Sequence, residues 1–149
     1  EVLVTGTLSE ASNKGFRQVA DFIFGNNEDP VKKQAEKIAM TAPVMQSADS
    51  SGWIIRFIMP ASYTLETLPM PNDPKVRLMP LPPKRVAVVR FSGLVDDNDV
   101  EQQTPVLRAF VVKQKLTTFG TPSLARYDPP WTLWFLRRNE IMLEVTSAQ

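Results

Sequence analysis

The stretch "EKIAMTAPVM", residues 36–45, decides how this chain is read. It begins with strand alternation: Ile38, Met40 and Ala42 fall on one face, Ala39 and Thr41 on the other. Then Pro43 arrives between two methionines, Met40 and Met45. A proline cannot donate to a strand ladder, so it marks an edge, an end or a bulge. The expectation is a short strand stopped at Pro43.

Working outward, VLVTGTL (2–8) reads as a strand and SEASNKGFRQVADFIFGNN as a helix over about 10–24. Ser9 or Ser12 can cap that helix, Glu10 suits its positive end, and Gly25 with Asn26 can stop it. A charged loop from Glu28 to Glu36 leads into the opening stretch. SADSSG (47–52) is expected to turn the chain into a further strand, WIIRFIMP (53–60).

The second half repeats the order. RVAVVRFSG (85–93) reads as a strand and residues 94–103 as a polar loop. Thr104–Pro105 reads as N-cap and first position of a helix running to about Leu116. After TPSLARYDPP (121–130), the run TLWFLRRNEIMLEV (132–145) should hold the last pair of strands or one long bent strand. Strand, helix, strand, strand thus occurs twice, with Pro43 and Pro129 at equivalent places, which argues for an internal duplication. The expected class is α+β: antiparallel strands with two helices packed on them.

One domain of 149 residues is expected, and that length buries enough surface to need no staples. Repeat one covers about 1–68, a crossover about 69–84, and repeat two about 85–145. The crossover carries six prolines from Pro69 to Pro83 and must run extended. Pro80, Pro83 and Arg85 also fit a P-x-x-P-x-[basic] pattern, which a linker of this composition reaches without being a ligand.

Composition excludes several function classes. The net charge is +1, from 17 basic and 16 acidic residues, so there is no basic field for nucleic acid. There is no histidine and no cysteine. Histidine-based triads, thiolate nucleophiles and the commonest metal and haem ligands are therefore absent. No apolar run reaches the length of a membrane span. The chain opens at Glu1 already in a strand-like run, so an upstream segment is expected. A cytoplasmic location is expected, or a periplasmic or secreted one if a signal peptide was removed. Nothing in the sequence sets an oligomeric state.

The helix at 10–24 is the richest element. At about 100° per residue, Gly15, Val19, Phe22 and Ile23 form one apolar stripe. Phe16, Ala20 and Phe24 form a second beside it, edged by Asn13 and Arg17. Docking on a sheet needs one stripe; the second either joins the core or walls a shallow pocket for a flat apolar ligand. The cluster Asp96, Asp97, Asn98, Asp99 and Glu101 lacks a calcium loop's glycine and terminal glutamate, and suits a helix start instead. Glu140, Asp21 and Asp128 could act as acids or bases, but nothing in the sequence pairs them, so no enzyme is expected.

Three motifs together, "GFRQVADFIFGNN", "KIAMTAPV" and "YDPPWTLWFLRRNEIMLEV", resemble the SOUL family of haem-binding proteins. The resemblance implies two βαββ-like repeats in a distorted eight-stranded antiparallel barrel or sheet with two helices. It also implies binding of haem or another tetrapyrrole, as carrier or buffer, on the outer face of the first helix. Carried over, the apolar places fall on Phe16 and Ala20, the basic ones on Asn13 and Asp21, and a lysine near the last strands on Thr132. Arg17 supplies the nearby charge. With the basic places changed and no histidine, the implied binding is weak and non-axial, through Asn13, Phe16, Arg17, Ala20, Phe24 and Thr132. A second reading is a small-molecule effector-sensing or interaction module, since the same duplicated architecture resembles effector-binding domains of transcription regulators; there Glu140 would meet an amphipathic cation.

Overall fold

A computed structural model describes residues 1–129 and 131–147. The chain runs β1 (Val2–Val4), α1 (Leu8–Ile23), β2 (Asn27–Glu28), β3 (Val44–Asp49), β4 (Gly52–Phe57), β5 (Met70–Pro71) and β6 (Val86–Ser92). It continues with α2 (Asp97–Lys113), β7 (Leu116–Arg126), a short 3-10 turn (Trp134–Leu136) and β8 (Arg138–Ser147). Six strands form one antiparallel sheet in the order β1-β4-β3-β7-β8-β6, and β2 pairs with β5 in a separate two-stranded piece.

One row of residues crosses the whole sheet: Val2, Ile55, Gln46, Leu124, Ile141 and Val89, each paired with the next. Its first five members are buried, and the row faces both helices. α1 covers β1 and β4, while α2 covers β6, β7 and β8. The result is two layers with two clusters, one beneath each helix, and Trp53 packs against both.

The expected eight-stranded barrel or sheet is corrected to an open antiparallel sheet of six strands plus a separate pair. β2 and β5 have two residues each, and Pro71 with the prolines beyond it cannot extend a ladder. Among the described residues β1 and β6 remain edges. The order strand, helix, strand, strand is present in both halves, leaving aside β2 and β5, and the sheet order mirrors it from the two edges inward.

The opening stretch is not a strand before Pro43. Residues 36–43 have no ladder, and Ile38 is buried while Met40 and Ala42 are exposed, so the expected shared face does not exist. The Ile38 N–H donates instead to Ile23 O at 2.8 Å, and the Thr41 hydroxyl donates to Ile58 O. Pro43, after a cis Ala42–Pro43 peptide, immediately precedes β3, whereas Pro129 follows β7. The two prolines therefore sit at opposite ends of their strands.

Both helix starts differ from expectation for one reason. α1 is capped by Thr7 and not Ser9 or Ser12: Thr7 accepts from the Glu10 N–H, and Glu10 reaches back to the Thr7 N–H. α2 is capped by Asp96, which exchanges the same pair of bonds with Asp99. Such a reciprocal box satisfies two orphan N–H groups at once. It overrides the Thr104–Pro105 signal, which lies inside α2. Residues 97–103 are helix, not loop.

The last hairpin is also displaced. Its first strand is β7, and residues 132–137 form no strand. Trp134 and Phe135 are adjacent and both exposed, so the run WTLWFL has no inward face to bury.

Candidate functional site

Gly15 sets how α1 lies on the sheet. A Cβ there would meet Ile55 Cγ1 at 2.3 Å, so the helix backbone rests directly on β4. Val19, Phe22 and Ile23 then point inward and are buried. Phe16, about 100° round from Gly15, is half-buried, its ring 5.4 Å from that of Phe57 and tilted by 52°. Ala20 is buried, although it lies on the second stripe. The segment before β3, held to Ile23 through Ile38, passes the last turn of α1 and joins the cluster there. Phe24 caps the helix and is 58% exposed. Asn13 and Arg17 are exposed.

Thr132 belongs to a different element, the loop 127–137. That loop is closed at its root: the Tyr127 N–H donates to Arg138 O at 3.2 Å, and the Arg138 N–H to Asp128 Oδ2 at 2.6 Å. The Thr132 N–H donates to Pro129 O, and Thr132 O accepts from Arg137 Nε at 2.9 Å. Between them the loop exposes Trp131, Leu133, Trp134, Phe135 and Leu136.

Arg126, the last residue of β7, joins this root to α1. Its guanidinium donates to the Ser12 hydroxyl and, at 3.1 Å, to Gln46 Oε1. Ser12 and Phe16 are one turn apart on the same flank of α1. The loop therefore leaves the sheet beside the flank that carries Phe16. Among the described residues no hydrogen bond joins Thr132 itself to α1. The structure thus groups Asn13, Phe16, Arg17, Ala20 and Phe24 on one helix and leaves Thr132 in the neighbouring loop.

Glu140 lies on the opposite face of the sheet and is buried. Arg138 Nε donates to its Oε1 at 2.8 Å, as does Nη2, and the Tyr127 hydroxyl donates to Oε2 at 2.9 Å. The Arg138 guanidinium also sits 4.2 Å above the Tyr127 ring. Burial, and then the bond to Glu140, push the Tyr127 hydroxyl above its ordinary pKa; the same carboxylate raises Arg138. Both oxygens of Glu140 are engaged. Asp21 accepts from Asn26 Nδ2 at 2.6 Å, and Asp128 accepts from the Arg138 N–H, so the three carboxylates weighed as acids or bases all make structural bonds.

A cleft of about 390 Å³ lies elsewhere, between Val19 and Phe22 of α1, the chain after β4, and the crossover around Leu78. Arg56 and Arg77 stand at its wall, each paired with Glu1. None of the expected site residues lines it.

The exposed aromatic loop and its Arg126 tether were not anticipated from the sequence. Adjacent Trp134 and Phe135, which break strand alternation after Pro129, are the signal that marks the loop. As a donor set, the chain provides no imidazole and no thiolate; of the two methionines beside Pro43, Met40 is 45% exposed and Met45 half-buried. These residues suit a flat apolar ligand held by contact.

No helix among the described residues is long and apolar enough to cross a membrane. No curated protein sequence matches the chain. A family model described as SOUL heme-binding protein matches residues 1–144. With nearly the whole chain matched and its motifs carried by α1, the segment before β3 and the β7–β8 loop, the protein belongs to the SOUL heme-binding protein family.

Proposed function

We propose that the protein binds haem or another tetrapyrrole by apolar contact, without a histidine ligand to the metal, and acts as a carrier or buffer. Family membership supports tetrapyrrole binding in general. The observation that carries the finer reading is the aromatic loop rooted beside α1 through Arg126 and Ser12. Such an arrangement offers two apolar surfaces, the loop's aromatic rings and the Phe16–Phe24 flank. A tetrapyrrole would present a flat apolar face and carboxylates. Arg17 is the cation on the helix flank.

The same reading treats the protein as a binder and not an enzyme, in keeping with the structural bonds of Glu140, Asp21 and Asp128. An effector-sensing role through Glu140 is less favoured, because Arg138 already neutralises that carboxylate. We also read the matching element order of the two halves as an internal duplication.

Titrating hemin and metal-free protoporphyrin tests the proposal. Both should bind, with affinities within about tenfold of each other, or about 1.4 kcal/mol. Phe24→Asp and Trp134→Ser lie at exposed positions. Each should weaken both ligands by about tenfold or more, with unchanged unfolding midpoints. Unchanged affinities would overturn the site. A six-coordinate hemin spectrum lost on replacing Met40 or Met45 would overturn binding by contact alone.

A further inference from the structure

We infer that residues 131–136 form a lipid-docking finger, which inserts its aromatic tip into the headgroup region of a bilayer. Trp131 is 84% exposed, Leu136 62%, Leu133 and Trp134 both 59%, and Phe135 52%. Exposed apolar side chains scattered singly are ordinary. Five within six consecutive positions are not. Leu94, 63% exposed, lies at the same end of the sheet, where Asn139 Nδ2 holds Gly93 O at 2.9 Å.

The finger is built to keep its shape. Its root is closed by the Tyr127–Arg138 and Asp128–Arg138 bonds, and its tip by the Leu136 N–H to Leu133 O bond at 2.9 Å. Trp134 and Phe135 stack edge to face, with ring centres 5.7 Å apart. An ordered apolar tip loses little side-chain freedom on insertion.

Size and chemistry select lipid over a protein partner. A stable protein interface takes about 20–30 residues a side, and a finger of this length falls far short. A bilayer needs no complementary surface. Tryptophan combines an apolar body with a polar N–H and settles at the headgroup level. Arg137 and Arg138 follow directly, but their guanidinium groups are held by Thr132 O and by Glu140, so the apolar side chains of the finger must carry the binding. The one acidic residue of the loop, Asp128, is turned inward onto the Arg138 N–H. Asp96, Asp97 and Asp99 at the start of α2 follow Leu94 closely, and the net charge is only +1. Apolar insertion, not attraction to anionic lipid, must therefore drive the binding.

The inference does not rest on the tetrapyrrole reading, and ligand-free protein tests it. Flotation is measured with vesicles of phosphatidylcholine alone and of phosphatidylcholine mixed with phosphatidylglycerol, alongside tryptophan emission. Wild type should float with both, with a blue shift and little dependence on salt. Trp131→Ser/Trp134→Ser should reduce partitioning by about tenfold or more and keep its fold by circular dichroism. If that variant does not fold, Leu133→Asn/Leu136→Asn takes its place. Val112→Asp, on α2, should float like wild type. Three outcomes would overturn the inference: wild type that stays free of lipid, finger variants that float undiminished, or a concentration-dependent self-association that the finger variants abolish. Flotation that persists in a protein with no porphyrin affinity would leave it standing while sinking the tetrapyrrole reading.

Discussion

The Arg126 guanidinium at the end of β7 donates to the Ser12 hydroxyl in α1 and so fastens the second half of the chain to the first helix. Gln46, the one polar member of the buried row that crosses the sheet, completes the junction. Its Oε1 accepts from Arg126 at 3.1 Å, and its Nε2 donates to Leu8 O at 2.8 Å. The junction lies on the seam between the two clusters. Burial lowers the pKa of Arg126, but a guanidinium stays charged throughout the usable range. Its acceptors are neutral, and its bonds to them stand in for lost hydration.

Arg126→Met should cost about 1.5–3 kcal/mol, because the Ser12 and Gln46 oxygens lose a charged donor in a partly buried place. Arg126→Met with Gln46→Leu should cost less than the sum of the two single changes, since the Arg126–Gln46 bond is shared between them. Denaturant midpoints of the two single variants and the double variant check this. A single variant as stable as wild type would show that the junction contributes nothing.

Gly15→Ala opposes two effects. Alanine gains about 1 kcal/mol in helix propensity. The new Cβ, however, would meet Ile55 Cβ at 2.7 Å and Cγ1 at 2.3 Å, and a β-branched residue cannot rotate away. Overpacking costs about 1–3 kcal/mol or more, so a net loss of about 2 kcal/mol is expected. The loss should shrink in an Ile55→Ala background. Equal losses in both backgrounds would sink the contact argument.

Pro105 sits inside α2, where it cannot donate to the carbonyl four residues earlier. The neighbouring Thr104 hydroxyl bonds Val100 O at 2.7 Å. A helix-interior proline costs about 3 kcal/mol relative to alanine, offset by about 1 kcal/mol from a stiffer unfolded chain. Pro105→Ala should therefore raise the thermal midpoint by the equivalent of about 1–2 kcal/mol. A lowered midpoint would mean that the proline ring itself is needed for α2 to pack.

Asp29 gives a pH dependence of defined sign. Its Oδ1 accepts the N–H of Lys32 at 2.6 Å and of Val31 at 2.8 Å. The Lys32 N–H is the main cause of a carboxyl pKa below the ordinary value. A depressed folded pKa stabilises the protein above the unfolded pKa, and that stability is lost as pH falls through the folded value. The midpoint difference between wild type and Asp29→Ala should stay level from neutral pH to about 5 and close below about 4. A difference that grows in acid would refute the assignment.

Much of the fold was legible because its signals are local. The strand β4, the helix at α1 and the strand β6 each carry their own period and flanking turn signals, whereas β3 begins after Pro43, where the expected strand was to stop. The buried first stripe of α1 could be read from angular spacing alone. The α2 start was misread because two local signals competed, and the reciprocal Asp96–Asp99 bonds outweigh a single Thr-Pro pair. The candidate site was half legible: the residues of α1 fall on one helix as spacing requires, but their exposure does not follow from spacing.

By itself, then, the sequence determined the helix at α1 and the strands β4 and β6. It also determined that no imidazole or thiolate can enter any chemistry here. Only the tertiary structure decided that the sheet stays open. It alone laid the chain before β3 past the last turn of α1, where Ala20 is buried, and turned WTLWFL outward as a closed loop. The physical reason is distance along the chain. Burial of a given side chain depends on what packs over it from tens of residues away, and apolar spacing records only that a surface can be covered.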